Sequence, residues 1–169
     1  MIQGNLAALF RDDPQVFVAG DLLWYPVEGD NKLRIAPDTT VVFGRPKGHR
    51  GSYMQWREGG IAPQVVFEVL SPGNRQGELV RKFKFYERYG VEEYYMFDPD
   101  HQDLSGWIRR GDELVDIAEI AGWTSPRLKI RFDFDGQEWT FVLPDGRPFL
   151  SFEELADALR DARGRGREA

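Results

Sequence analysis

The sequence contains no cysteine. That excludes disulfides, thiolate metal centres and a thiol nucleophile, and gives no reason to invoke an oxidising compartment, so a cytoplasmic protein is expected. Histidine is scarce too, with two in 169 residues. His49 stands in a Gly-rich setting that makes a poor base, and His101, beside Asp100 and near Asp103, reads as an exposed turn rather than a metal site. No apolar run approaches the length that spans a bilayer, and the opening MIQGNLAALFRDD lacks a basic region followed by an apolar stretch and a cleavage site. Neither membrane nor export is therefore expected. A formal net charge of −6 argues against nonspecific coating of nucleic acid, although a local basic groove stays open. What is present, 41% hydrophobic and 30% charged residues, suits one soluble domain with a real core over residues 1–162. The 163–169 tail has nothing to bury and is expected to be disordered.

Ile2, Leu6, Leu9 and Phe10 recur at helical spacing and stop at Asp12-Asp13-Pro14, predicting a short opening helix. PQVFVAGDLLWYP and KLRIAPDTTVVFG follow as two neighbouring strand regions divided by the turn residues Glu28 to Asn31. Between Gly44 and Gly60 the chain is rich in Gly and basic residues with Tyr53 and Trp56 interleaved, which reads as a long surface excursion. Gln64 to Ser71 is too uniformly apolar for a half-exposed strand and belongs at the centre of a sheet covered on both faces. A helix over Glu78 to Tyr89, with Leu79, Phe83 and Tyr86 as its buried stripe and Gly90 at its end, precedes another strand at Glu93 to Phe97. Strand, helix, strand is the order of a crossover unit, so the sheet is partly parallel. Short strands at 106–109, 114–117, 128–134 and 139–143 read as an antiparallel extension, and Ser151-Phe152-Glu153-Glu154 opens a terminal helix with capping-box spacing that runs to about Ala162.

One residue conflicts with its surroundings. Glu68 lies inside VVFEVL, where an ionised carboxylate is costly unless a cation, a metal or hydrogen bonds compensate it. Asp38, in APDTTVVF, and Lys82, in RKFKFYERYGV, are the candidate compensators. Carboxylates on adjacent strands can aim hard oxygen ligands at one point, which suits Mg²⁺ or Mn²⁺ rather than zinc. At about 100° per residue, Lys82 falls on the margin of the buried stripe, from which its ammonium can reach the sheet, whereas Arg81, Lys84 and Arg88 face solvent. Taken singly, Glu68 reads as an ion-paired structural acid, Asp38 as a turn residue and Lys82 as an ordinary helix lysine. Phe83 and Tyr86 read as core and carry no assigned chemistry. Lys82 beside Glu68 is expected to lower its pKa, which opposes a metal-free general-acid mechanism such as sugar hydrolysis.

From APDTTVVFG through APQVVFEVLSPGNR and KFKFYERYGVEEYYMFDPD to SPRLKIRFDF and LPDGRPFLSFEELADAL, roughly residues 5 to 162, the chain resembles the PD-(D/E)XK nuclease superfamily. Within it, the chain resembles the Uma-type bacterial group of candidate restriction endonucleases. The superfamily's lysine usually stands two residues after the acid, where this chain has Leu70; the Uma-type group moves it to the following helix, which singles out Lys82. Members of that group usually carry more chain before the first helix, often with an acid that assists the metal, and the corresponding region here offers only Gln3 and Asn5. The resemblance implies a restriction-endonuclease-like α/β fold, with a central mixed sheet flanked by helices and a small antiparallel β extension. It also implies a DNA endonuclease in which Asp38 and Glu68 hold Mg²⁺ or Mn²⁺ and Lys82 activates water and stabilises phosphate charge. Arg45, Lys47, Arg50 and Arg57 would then grip phosphates, with Tyr53 or Trp56 stacking on a base, and two chains would form a homodimer. The rival implication is a weak or inactive member of the fold that binds nucleic acid or self-assembles.

Overall fold

β-branched and aromatic residues, which suit a pleated and buried surface, fill TTVVF, VVFEV and EYYMFD. In the computed structural model, which describes residues 1–168, these three runs are neighbouring strands at the centre of a six-stranded sheet. In chain order the elements are α1 (Ile2–Leu9), β1 (Val16–Gly20), β2 (Trp24–Tyr25), β3 (Thr39–Phe43), β4 (Tyr53–Met54), a 3-10 turn (Gln55–Arg57), β5 (Val65–Val69) and α2 (Gln76–Arg88). They continue as β6 (Glu93–Asp98), β7 (Asp103–Arg110), β8 (Glu113–Asp116), β9 (Arg131–Phe134), β10 (Trp139–Val142) and α3 (Phe152–Glu168). The main sheet runs β1-β3-β5-β6-β7-β8. Only β5 and β6 are parallel in it, joined by the α2 crossover, while every other neighbouring pair is antiparallel. Thus β7 and β8 extend the central sheet itself. The strands β9 and β10 form a separate antiparallel ribbon, and β2 and β4 a short parallel pair.

Alternation along β5 assigns its side chains to two cores. Val65 and Phe67 face a layer built from α1, through Ile2 and Leu6, and from the β9–β10 ribbon, through Phe132 and Phe141. Val66 and Glu68 face the other way, where Val66 joins Tyr86 of α2, Trp24, Tyr53 and Tyr94. Covered on both sides, Val65, Val66 and Phe67 have no exposed surface, as the uniform apolar run predicted. Helix α2 ends where Gly90 adopts φ 93°, a left-handed conformation that glycine takes without steric cost and that stops helices.

Two features were not legible along the chain. Glu93 is 1% exposed; its carboxylate accepts from Tyr95 Oη at 2.5 Å, Ser125 Oγ at 2.6 Å and the Arg127 amide at 2.9 Å. That buried node ties the segment before β9 to the sheet. Asn5 is buried likewise: its amide donates to the Met1 and Leu150 carbonyls and accepts from the Leu150 amide at 2.8 Å, joining α1 to the chain 145 residues later. Ser151 and Glu154 form the reciprocal capping box, each side chain accepting from the other's amide at 3.1 Å. Helix α3 continues to Glu168, past the end near Ala162 suggested by sequence. Arg163, Arg165 and Glu168 are fair helix formers and the helix runs on through Gly164 and Gly166; of the tail, Ala169 lies outside the described residues. Among the described residues no helix is long and apolar enough to cross a membrane.

Candidate active site

Asp38 immediately precedes β3. The pairing Thr40 with Val66 and Thr39 with Phe67, carried one residue further, sets Asp38 opposite Glu68. Side chains directly across two strands share a face, so both acids address the layer that α2 covers. From α2, Lys82 Nζ reaches Glu68 Oε2 at 3.1 Å and Tyr86 Oη donates to Glu68 Oε1 at 2.5 Å. Lys82 and Tyr86 are four residues apart, hence one above the other on the helix. Asp38 Oδ2 accepts from the Val69 amide at 2.7 Å, which holds the first acid against the strand carrying the second. The three residues singled out from sequence therefore converge.

Tyr86 does more than fill the core. It is fully buried, as the helical stripe predicted, but its hydroxyl is a ligand of Glu68 that periodicity could not reveal, because a buried tyrosine and a buried phenylalanine leave the same pattern.

Burial pushes the Glu68 pKa from 4.5 up to about 7; Tyr86 and Lys82 pull it down and the adjacent Asp38 pushes it up again. Lys82 lowers the pKa as its charge predicts, but burial outweighs it and leaves the acid above its ordinary value. Glu68 is 3% exposed, and its loss of hydration outweighs one cation that keeps partial access to water. The electrostatic objection to a metal-free general acid falls with it. Burial first, and then the Glu68 charge, raises the pKa of both Tyr86 and Tyr94, so both phenols remain hydrogen-bond donors. Tyr94 Oη is buried and has no hydrogen-bond partner among the described residues.

These groups fit a hard divalent cation. An ionised carboxylate has about four acceptor positions. Lys82 and Tyr86 occupy two on Glu68, and the Val69 amide occupies one on Asp38. Further oxygen lone pairs remain on both acids, near the buried, unpartnered Tyr94 hydroxyl. Among the described residues no group of three or more His, Cys, Asp or Glu side chains is gathered for a metal. Two protein carboxylates completed by water and phosphate oxygens is a mode of binding that Mg²⁺ accepts. Gln3 packs by Gly20: a side chain added at Gly20 would come within 2.5 Å of the Gln3 amide oxygen and 3.4 Å of the Asp38 carbonyl. Asn5 is turned to its structural latch.

The basic excursion differs from its sequence reading. Arg45 and Arg50 converge on Glu58, with Nε to carboxylate distances of 2.8 and 2.7 Å. Arg50 also donates to the Pro46 and Gly48 carbonyls and lies 4.0 Å from the Phe17 ring centre. Lys47 Nζ donates to the Val16 carbonyl at 2.6 Å. Tyr53, 2% exposed, stacks on Phe17 and donates to the Ile61 carbonyl, so it is a core residue and not a base-stacking platform. Trp56 is half-buried and Arg57 exposed. An acid in a basic loop is the signal for Glu58, but loop sequence does not reveal which charges meet. Burial raises the Glu58 pKa, but the Arg50 and Arg45 guanidiniums outweigh it and hold the carboxyl below its ordinary range. Glu58→Gln should therefore lower stability by about 2–3 kcal/mol in urea unfolding at pH 7; a change under about 0.5 kcal/mol, as at an ordinary surface site, would show that the clamp is dispensable.

Comparison with known proteins bears on the fold and the family. A solved structure titled as a putative nuclease belonging to DUF820, from Anabaena variabilis ATCC 29413, superposes with a TM-score of 0.52 at 17% identity. The superposition covers 74% of this chain and 66% of that one, just under two thirds of the neighbour. At that identity the likeness concerns the fold, a mixed α/β nuclease fold. No curated protein matches. A family model described as "Uma2: Putative restriction endonuclease" matches residues 1–128, a span that takes in α1, the whole six-stranded sheet, Asp38, Glu68 and Lys82. The chain belongs to the Uma2 family.

Proposed function

We propose that this protein is a divalent-metal-dependent endonuclease that hydrolyses phosphodiester bonds in DNA, with Asp38 and Glu68 as metal ligands and Lys82 as the catalytic cation. The observation that carries the reading is the meeting of a helix-borne lysine with a buried strand acid at 3.1 Å, opposite a second acid. A nuclease family and fold support phosphodiesters as the substrate class. Mg²⁺ or Mn²⁺ bound to the two acids would supply Lewis-acid activation of water and neutralisation of phosphate charge. Asp38, anchored by the Val69 amide, would keep its remaining oxygen surface for the cation. Lys82, with its stem along α2 and its head partly exposed, would orient the attacking water and stabilise charge growing on the phosphate oxygens. Arg57 and Trp56 are the members of the basic excursion best placed to meet nucleic acid, since Arg45, Lys47, Arg50 and Tyr53 are engaged within the protein. Two copies acting together, as a homodimer, would present two such sites to a duplex.

The test is incubation of the purified chain with supercoiled plasmid, single-stranded DNA and RNA in Mg²⁺, Mn²⁺ or chelator, with the oligomeric state measured by sedimentation. Cutting of DNA with either metal and none in chelator is expected. Cutting that survives chelation would remove the metal from the mechanism. Binding without cutting under every condition would favour an inactive member of the fold.

A further inference from the structure

Glutamate's terminal torsion is soft, so an acid that must face a cation needs something to fix its plane. Lys82 is a poor choice for that task, being a flexible chain with a rotating ammonium. Tyr86 is a better one. Its ring lies nearly parallel to Trp24, with planes 4° apart and centres 6.4 Å apart, and meets Tyr94 edge-on at 4.9 Å. Trp24 is held in turn by Gln55, whose side-chain oxygen accepts from the indole at 3.0 Å, and by reciprocal backbone bonds with Ile35. The hydroxyl thus has one place to be, 2.5 Å from Glu68 Oε1.

We propose that Tyr86 is a positioning residue: its hydroxyl, fixed by aromatic packing, orients the Glu68 carboxylate for a divalent cation. This rests on the metal-binding reading of Asp38 and Glu68. Loss of the hydrogen bond that orients a ligand typically weakens metal affinity by about 10–100-fold. The molecule carries its own control on the opposite face of the sheet, where Tyr95 donates to buried Glu93, also at 2.5 Å. There the tyrosine's acid is satisfied by Ser125 and Arg127 and serves structure alone.

The experiment is Mn²⁺ binding to the full chain, followed by calorimetry and by the electron spin resonance signal of free Mn²⁺, for the native protein, Tyr86→Phe and Tyr95→Phe, alongside thermal unfolding. Tyr86→Phe should weaken Mn²⁺ binding by about 10-fold or more. Tyr95→Phe should lower the unfolding temperature and leave Mn²⁺ affinity unchanged. Equal affinity in Tyr86→Phe and native protein overturns the proposal, and so does an equal loss in both variants, which would trace it to general loosening. Should the native protein bind no Mn²⁺, the metal-binding reading itself falls and takes this role with it, a result separable from the tyrosine comparison. If Tyr86→Phe does not fold, 3-fluorotyrosine placed at position 86 or 95 of the otherwise native chain decides by ¹⁹F resonance. Mg²⁺ must shift the signal from position 86 and leave that from 95, and an unmoved signal at 86 overturns the role.

Discussion

Lys82→Met is expected to reduce metal-dependent DNA cleavage by at least about 100-fold, the loss that follows removal of a single preorganised donor to transition-state charge, and Glu68→Gln should do at least as much. The two variants separate by what they do to stability. Lys82 retains 12% side-chain exposure against 4% for Glu68, so in Glu68→Gln the ammonium can swing its head into water at little cost. In Lys82→Met the buried carboxylate has no such escape and takes up a proton instead, since its pKa is already about 7 with the lysine present. Lys82→Met should therefore be near native stability at pH 5.5 and destabilised by about 2–4 kcal/mol at pH 8.5, while Glu68→Gln, which lacks the titrating acid, should gain on the native protein as pH rises. Cleavage retained in Lys82→Met, with unfolding curves alike at both pH values, would mean that the ammonium is a bystander.

Acid should stabilise this protein across a range where carboxylates are usually indifferent. Glu68 binds its proton more tightly in the fold than in the unfolded chain, its pKa rising from 4.5 to about 7. The folded state therefore holds more protons between those values, and stability falls as pH rises. The contribution is fully present below pH 4.5 and lost as pH passes through about 7, amounting to about 3 kcal/mol. Glu58 acts in the opposite sense: its lowered pKa gives stability above the ordinary carboxylate range that is lost on acidification. Unfolding free energies of native protein and Glu68→Gln, measured from pH 5 to 8.5, isolate the first effect because all other groups are shared. The native curve should descend relative to the variant, and parallel curves would show that Glu68 titrates as an ordinary acid. On the proposed reading a cation requires the ionised form, so Mn²⁺ affinity should fall toward tenfold per pH unit below about pH 7.

The fold was largely readable because its signals are local. A five-residue apolar run flanked by a Ser-Pro turn, a helix with an amphipathic stripe ended by glycine, and an aromatic strand are each decided by periodicity, and their order dictates a parallel crossover. The acid inside VVFEV was visible for the same reason, as a violation of the pattern around it. Tyr53 was misread because alternating aromatic and basic residues look alike whether the aromatic ring faces a base or a core. Glu58 and Glu93 escaped because an acid's burial depends on partners from other elements: Arg45 and Arg50 for one, Ser125 and Arg127 for the other.

By itself, then, the sequence determined which segments become strands and helices, placed Glu68 in the sheet centre, and put Lys82 on the helix margin that faces it. Those outcomes follow from hydrophobic burial at spacings of two and 3.6 residues, which a linear chain already contains. Tertiary structure alone decided that Tyr86 holds Glu68, that burial outweighs Lys82 in setting the acid's proton affinity, and that the basic excursion closes on Glu58. Each of these depends on distance and on exclusion of water between residues far apart in sequence, and both quantities exist only once the chain has packed.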